Sequence, residues 1–136
     1  MSASDCVVMK EFFECFATGD IPGCMARMHD DCVLVEGEGL PHSGTFVGGE
    51  GFLQLVTKIG QIYSGAMLSE VVVYDAGEYV VARMIGTFTS RSNGLTVSQP
   101  ITEHYWLTGG KVTRADVYYK DPSGFDALAA DAEVSA

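Results

Sequence analysis

The stretch that decides the fold is "LTVSQPITEHYWLTGGKVTRADVYYKD" (residues 95–121), two runs rich in β-branched and aromatic residues separated by Gly109-Gly110. Such residues favour strands, and so short a connection joins antiparallel neighbours. Two runs of the same character come before it, "MLSEVVVYD" (67–75) and "EYVVARMIGTFTS" (78–90). Residues 67–121 are therefore predicted to form four antiparallel strands joined by short turns.

The part of the chain that precedes these strands is predicted to be mainly helical. Apolar residues recur at helical spacing in residues 5–18, and Gly19 ends this first helix. Asp20 can cap a short second helix, and a third helix is predicted over residues 48–62, with a strand at residues 32–38 between them. Helices followed by a run of strands indicate an α+β fold, a curved antiparallel sheet with helices on one face.

The length and composition fit one domain with a substantial core. The chain has 136 residues, of which 47% are hydrophobic and 19% charged. We expect a single domain over residues 1–136, with a core at about 5–122 and a C-terminal tail at 123–136. The tail is predicted to be weakly helical at best, and its end "AADAEVSA" to be frayed.

The charge balance excludes some classes of partner. Eight lysines and arginines against eighteen aspartates and glutamates give a formal net charge of −10. Polyanions are repelled by such a chain, so neither nucleic acid nor an anionic membrane is expected as a partner.

Cysteine usage and hydropathy favour a reducing compartment and no metal. The four cysteines lie within residues 6–32 without a Cys-x-x-Cys pair, and there are only three histidines, so we expect no zinc site. No signal peptide and no apolar run of about 18 residues is recognisable. Free thiols in the cytoplasm are the expectation.

A glycine-rich stretch, "GEGLPHSGTFVGGEG" (37–51), lies before the third helix. It lacks the third glycine of a dinucleotide fingerprint and the Gly-Lys-Ser/Thr of a P-loop. Its glycines permit positive φ angles. The stretch is therefore interpreted as a tight loop and not as a phosphate site.

Three short motifs and their order resemble one superfamily. They are "FATGD" (16–20), "PHSGTFVGGEG" (41–51) and "GGKVTRADVYYKDP" (109–122). Together they resemble the nuclear-transport-factor-2-like superfamily, and the last two resemble its SnoaL-like group most. The resemblance covers about residues 5–122. It implies a cone-shaped sheet, three N-terminal helices packed on its concave face, a hydrophobic pocket, and a homodimer formed through the sheet.

The resemblance also places the superfamily's catalytic positions on this chain. Phe12 stands where ketosteroid isomerases have a tyrosine, and Val117 where epoxide hydrolases and SnoaL-like cyclases have an acid. Asp116 is one residue away and faces the other side of its strand. The isomerases' base falls close to Glu36 or Glu38.

Glu103 matches the isomerases' second oxyanion donor. The alternation of residues in its strand leaves two faces that could line the cavity. Either the odd face with Tyr105 and Leu107 lines the cavity, or the even face with His104 and Trp106 does; the resemblance favours the odd face. Arg83 is expected opposite Glu103, or opposite His104 if the turn has two residues. Paired with Glu103, Arg83 would brace it or anchor an anionic substrate.

The remaining candidates are aromatic or histidine side chains. His42 is interpreted either as a solvated loop residue or as an acid or base at the cavity rim. Tyr63 and Tyr119 are expected to pack or to donate hydrogen bonds to a ligand. Phe12 and Phe16 are expected on the cavity wall, and residues 29–31 are interpreted as a solvated connector.

Three functions fit these predictions. The first is a cofactor-free isomerase, cyclase or dehydratase for a small apolar carbonyl compound, with Glu36 as base, Glu103 or Tyr119 polarising the carbonyl, and His42 assisting. The second is a non-catalytic ligand-binding or accessory protein. The third is a dimeric module that docks partners on its sheet. No cofactor is expected for any of them.

Overall fold

The computed structural model describes residues 3–129, with side chains from residue 4. The elements run in the order α1 (Ala3–Ala17), α2 (Ile21–Ala26), β1 (Met28–Glu36), β2 (Gly44–Val47), α3 (Gly48–Ile62), β3 (Tyr63–Asp75), β4 (Val80–Ser90), β5 (Thr96–Thr108) and β6 (Lys111–Tyr119). A 3-10 turn (Pro122–Phe125) and the short helix α4 (Asp126–Ala129) follow. The predicted fraying of the chain end concerns residues beyond 129 and lies outside this range.

The predicted helices are confirmed, and their starts have clear causes. In α2, the Asp20 carboxylate accepts a hydrogen bond from the Gly23 backbone N–H at 2.9 Å, and Pro22 occupies the first turn, where it loses no helical hydrogen bond. Helix α3 has the predicted bounds, and its apolar residues Phe52 and Leu55 are buried. No helix in residues 3–129 is both long and apolar enough to cross a membrane.

The α+β class is confirmed, with a sheet in the strand order β2-β1-β6-β5-β4-β3. Strands β3 to β6 form antiparallel hairpins as predicted, but β1 runs parallel to β6, so the sheet is not wholly antiparallel. The pairing of β3 with β4 shifts register between Ser69 and Val72, where Glu70 has a φ of 53°. Such a bulge bends a strand and increases its twist.

Two strand predictions need correction. The loop predicted at residues 37–51 contains β2, which pairs antiparallel with β1 so that Glu36 lies opposite Gly44 and Val33 opposite Val47. Strand β1 begins at Met28, so residues 29–31 belong to a strand and not to a connector. Both errors have one cause: a four-residue edge strand that starts on glycine has no alternation long enough to recognise, and β1 carries exposed charged residues in its first half.

The predicted end of the core, at about residue 122, is too early for the residues described. Phe125 and Leu128 are fully buried. The Ser90 hydroxyl donates to the Leu128 carbonyl at 2.7 Å, and the Asn93 amide donates to the Ala127 carbonyl at 2.7 Å. The core therefore extends past residue 122, and this segment is fixed to the hairpin of β4 and β5.

One glycine in the stretch predicted as a loop is required by the local backbone geometry. Gly48 has a φ of 69°, and a Cβ atom at this position would lie 2.5 Å from the Asp30 carbonyl oxygen. A backbone carbonyl cannot move away without disturbing β1. Close approach of backbone to backbone thus lets α3 start immediately after β2.

Replacing Gly48 and Gly60 should have opposite effects on stability. We expect Gly48→Ala to lower the free energy of unfolding by about 1–3 kcal/mol, because of the positive φ and the contact with Asp30. Gly60 lies in the same helix with nothing within 4 Å of its Cβ position, so Gly60→Ala should raise stability by up to about 1 kcal/mol. Urea denaturation measures both, and equal effects would contradict the explanation.

Candidate active site

Helices α1 and α3 and the sheet face that they cover enclose an apolar cavity. Its empty volume is about 820 Å³, counting the part open to solvent. The wall is mostly aromatic and aliphatic, with two carboxyl groups, and consists of Phe12, Phe13, Phe16, Met28, Leu34, Glu36, Phe52, Leu55, Val56, Ile59, Ala66, Leu68, Phe88, Glu103, Tyr105, Val112, Ala115, Val117 and Tyr119. An apolar cavity with a few polar groups on its wall is typical of a small-molecule site.

The two carboxyl groups lie in one row across three neighbouring strands. Val117 of β6 pairs with Glu36 of β1 on one side and with Glu103 of β5 on the other. Because neighbouring strands are about 4.8 Å apart, the backbones of the two glutamates are about 10 Å apart. Their side chains therefore reach into the same cavity from either side of an apolar residue.

Glu103 is buried and held by one hydrogen bond. The Tyr105 hydroxyl donates to its Oε1 at 2.5 Å. Burial raises the pKa of Glu103 to about 7, and the bond from Tyr105 opposes that rise. The carboxyl group is thus balanced between its acid and its base form near neutral pH.

Glu36 is also buried, but it lacks such a donor. Its side chain is 9% exposed, and within the described residues its Oε2 has no hydrogen-bond partner. Burial raises the pKa of Glu36 well above its usual value, and the negative charge of Glu103 adds to the rise. The neutral acid is therefore the favoured form of Glu36.

His42 lies next to Glu36 and is fully buried. Its Nδ1 is 2.8 Å from the Tyr63 hydroxyl, and its Nε2 is 3.0 Å from the Tyr119 hydroxyl and 3.6 Å from Glu36 Oε2. Burial, with a contribution from the positive charge of Lys58, lowers the pKa of His42 to about 4. A neutral imidazole donates from one nitrogen and accepts at the other, so its contact with Glu36 is not an ion pair at neutral pH.

Both interpretations of His42 made from the sequence are wrong, because the side chain is neither solvated nor at the rim. Its ring stacks on Phe88 with the centroids 5.5 Å apart, and the ring of Phe125 lies 5.9 Å away. Neither His42 nor Tyr63 is among the described residues that line the cavity. Tyr119 does line the cavity, and its hydroxyl group forms a hydrogen bond with His42 behind the wall.

Most of the other predicted site residues are on the cavity wall. Phe12, Phe16, Tyr105, Val117 and Tyr119 all line it together with the two glutamates. Glu36 and Glu38 were the two candidates for the position of the base. Glu36 lies on the cavity wall, whereas the Glu38 side chain is exposed. Their roles toward a ligand stay predictions.

The predicted pairing partner of Arg83 needs correction. It pairs with Thr102 and not with Glu103 or His104, because Ser90 and Leu95 close the hairpin, with four residues between them. Arg83 therefore points to the opposite face of the sheet from Glu103, where it is exposed. It neither braces the carboxyl group nor lines the cavity.

The odd face of β5 is the buried one, as the resemblance favoured. His104 and Trp106 lie on the outer face with Tyr79, and the centroid of the Tyr79 ring is 5.1 Å from His104 and 5.2 Å from Trp106. Asp116 is on this face too, with its Oδ1 3.0 Å from Arg114 Nη2. The acid next to the cyclase position thus points away from the cavity, as predicted.

Several wall residues were missed as site residues. The α3 stripe of Phe52, Leu55, Val56 and Ile59 was predicted from its spacing, but not its place on the cavity wall. Phe88 could have been found by alternation in β4, whose even-numbered residues are buried. Among residues 4–129, no group of three histidine, cysteine or acidic side chains could hold a metal ion.

Comparison with known proteins agrees with this geometry. The family model of the SnoaL-like domain matches residues 9–115. The chain therefore belongs to the SnoaL-like domain family. Among curated proteins, none matches.

Several solved structures are similar over nearly the whole chain. TerC, crystallised with polyporic acid, is 23% identical, with 93% of this chain and 98% of TerC covered and a TM-score of 0.82. An NTF2-like protein of unknown function from Burkholderia pseudomallei is 17% identical (96% and 100% covered, TM-score 0.84). A Pseudomonas putida protein provisionally named a polyketide cyclase is 18% identical (92% and 98% covered, TM-score 0.77). These similarities confirm the predicted NTF2-like fold.

The burial of Glu103 should make stability depend on pH. Its folded-state pKa is raised from 4.5 to about 7. The contribution of neutral Glu103 to stability is therefore fully present below pH 4.5 and is lost as the pH rises through about 7. Over this range the free energy of unfolding of the wild type should fall by about 3 kcal/mol relative to that of Glu103→Gln, which has no titrating group at this position.

Urea denaturation at several pH values from 4.5 to 8 measures this difference. The matched control is Glu38→Gln, the same change at an exposed position, whose profile should run parallel to that of the wild type. A constant difference between wild type and Glu103→Gln would contradict the raised pKa.

Proposed function

We propose that the protein is a cofactor-independent proton-transfer enzyme that acts on a small, mostly apolar carbonyl compound, as an isomerase, cyclase or dehydratase. One observation carries the proposal: Glu36 and Glu103 enter one apolar cavity from either side of Val117. Two carboxyl groups with different surroundings can divide the work of acid and base between them.

Glu103 fits the role of the base. Near neutral pH a substantial fraction is ionised, since its pKa is about 7, and the basicity still suffices to accept a proton. Its carboxylate would take the proton from the carbon next to the substrate carbonyl. The electron pair of that C–H bond would move into the enolate, with its negative charge on oxygen.

Glu36 fits the role of the acid that stabilises this oxygen. Burial keeps its proton on, so the carboxyl group can donate a hydrogen bond to the enolate, and the Tyr119 hydroxyl is a second donor on the wall. This assignment exchanges the two roles expected from the sequence. His42 is assigned the role of a positioning residue that orients Tyr119 and does not touch the substrate.

The enolate would then react in one of three ways. The proton on Glu103 can return to another carbon, which is an isomerisation. The enolate carbon can attack a second carbonyl of the same molecule, which closes a ring, and the oxygen of that carbonyl takes the proton from Glu103 to become a hydroxyl group. Alternatively, it can expel a hydroxyl group from the neighbouring carbon as water, with the proton from Glu103, which is a dehydration.

The family and its structural neighbours support a small-molecule role. The SnoaL-like domain match covers all of the described wall residues except Val117 and Tyr119, and one neighbour is provisionally named a polyketide cyclase. TerC, another neighbour, was crystallised with polyporic acid, a small organic compound.

A non-catalytic ligand-binding protein is the second candidate. It is favoured by Phe12 and Val117, which bring apolar side chains to the wall at the positions where related enzymes carry a tyrosine and an acid. Such a protein would bind its ligand tightly without turnover.

We further propose that the protein acts in a reducing cytoplasm, without nucleic-acid or membrane partners. The four cysteines are free thiols. The net charge of −10 disfavours anionic partners.

A homodimer through the outer sheet face is proposed as the assembly. An aromatic cluster of Tyr79, His104, Trp106 and Tyr118 lies on this face, with Tyr118 54% exposed. Such clusters are enriched at the centres of interfaces. Analytical ultracentrifugation at micromolar concentration should show a dimer, and Trp106→Ala should weaken it by about 30-fold. A monomeric wild type would remove the proposal.

The reaction proposal can be tested without the natural substrate. A carboxylate in an apolar site removes the carbon-bound proton of 5-nitrobenzisoxazole, its N–O bond breaks, and a coloured cyanophenolate forms. We expect the rate with wild type to rise with pH through about 7, as Glu103 loses its proton. Glu103→Gln should lower kcat/KM by about 100-fold or more.

Glu38→Gln is the matched control and should keep the wild-type rate, because its side chain is exposed. If wild type gives no more product than free acetate at the same concentration, or if Glu103→Gln keeps the activity, the reaction proposal fails and the ligand-binding candidate replaces it.

A further inference from the structure

We propose that the cavity binds lipophilic amines in their protonated form, with the ammonium group between Glu36 and Glu103 and the hydrocarbon part among the phenyl rings of the helices. This inference does not depend on the proposed reaction, since it requires binding only.

The first argument is an oxygen atom that requires a donor. Glu36 Oε2 is buried, the carboxyl group faces the cavity, and no described residue forms a hydrogen bond with it. A buried polar atom without a partner is costly, so a ligand that supplies an N–H there gains affinity. The neutral imidazole of His42, 3.6 Å away, is too distant to satisfy it.

The second argument is the charge of the wall. Of the described residues that line the cavity, two are acidic and none is a lysine or an arginine. Arg83 lies on the other sheet face, and the Lys58 ammonium donates to the Ser43 carbonyl at 2.9 Å. An anionic ligand would be repelled by the ionised form of Glu103, whereas a monocation would offset that negative charge.

The third argument is the aromatic wall. The ring of Phe12 packs against those of Phe52 and Tyr105, with centroids 5.7 Å and 6.1 Å apart, and Phe16 lies 6.5 Å from Phe52. Aromatic faces attract cations, and their apolar surface binds hydrocarbon groups. A quaternary ammonium would meet the rings equally well but has no N–H for Glu36, so primary to tertiary amines fit better.

The test uses the coupling between loss of the Glu103 proton and binding of the amine. An ammonium ion pairs with the ionised form of Glu103, whose pKa is about 7. Lowering the pH from 7.5 to 5.5 should therefore weaken binding by about 20-fold, while the amine itself stays protonated. Binding should also release protons from the carboxyl groups.

Isothermal titration calorimetry with 3-phenylpropylamine and 3-phenylpropan-1-ol makes the comparison at constant shape. We expect the amine to bind about 10-fold or more tightly than the alcohol at pH 7.5, with the heat depending on the ionisation enthalpy of the buffer. Glu103→Gln, which removes the charge that pairs with the ammonium group, should remove most of this preference and leave the alcohol nearly unaffected. Glu38→Gln should bind both like wild type.

Equal binding of amine and alcohol at pH 7.5 would overturn the inference, as would an amine affinity that does not change between pH 5.5 and 7.5. Both comparisons use the wild type, so they stand even if a variant fails to fold. The benzisoxazole assay gives a separate readout: its failure together with tight amine binding removes the reaction and leaves this inference intact.

Discussion

The burial of two carboxyl groups in one apolar cavity is the constraint on which the rest of the site depends. An ionised carboxylate removed from water without a partner is costly, and the two charges repel each other as well. The protein meets this cost by protonation, since the pKa values of Glu36 and Glu103 are both raised. Among the described residues, the Tyr105 hydroxyl is the group that favours ionisation, and it acts on Glu103. That single hydrogen bond makes the two groups chemically unequal.

The polar groups beneath the cavity follow from the same constraint. His42 is kept neutral by burial, so it offers no positive charge that could ionise Glu36. Its two nitrogens meet the Tyr63 and Tyr119 hydroxyl groups, which places a connected polar cluster inside an aromatic shell. Such a cluster fixes side-chain orientations where apolar packing alone would leave Tyr119 free to rotate.

The sequence carried the regular features of the fold but not its long-range pairing. Helical periodicity placed α3 correctly, because this pattern is local. The alternation in β5 left both faces open, and it was the resemblance that favoured the buried odd face, which carries Glu103. The partner of Arg83 was wrong because loop length sets register, and one residue reverses the face. The burial of His42 depends on tyrosines 21 and 77 positions away, a relation that no local pattern contains.

The C-terminal segment has a consequence for how this protein compares with its relatives. The family is recognised over residues 9–115, yet Phe125 and Leu128 lie beyond that range and are completely enclosed. Phe125 contacts His42 and Phe88, so its ring packs against the polar cluster. A shortened protein that ends with the last strand would keep every wall residue and lose this packing contact. The support of Tyr119 through His42 therefore depends on a few residues that lie beyond the part of the chain by which the family is recognised.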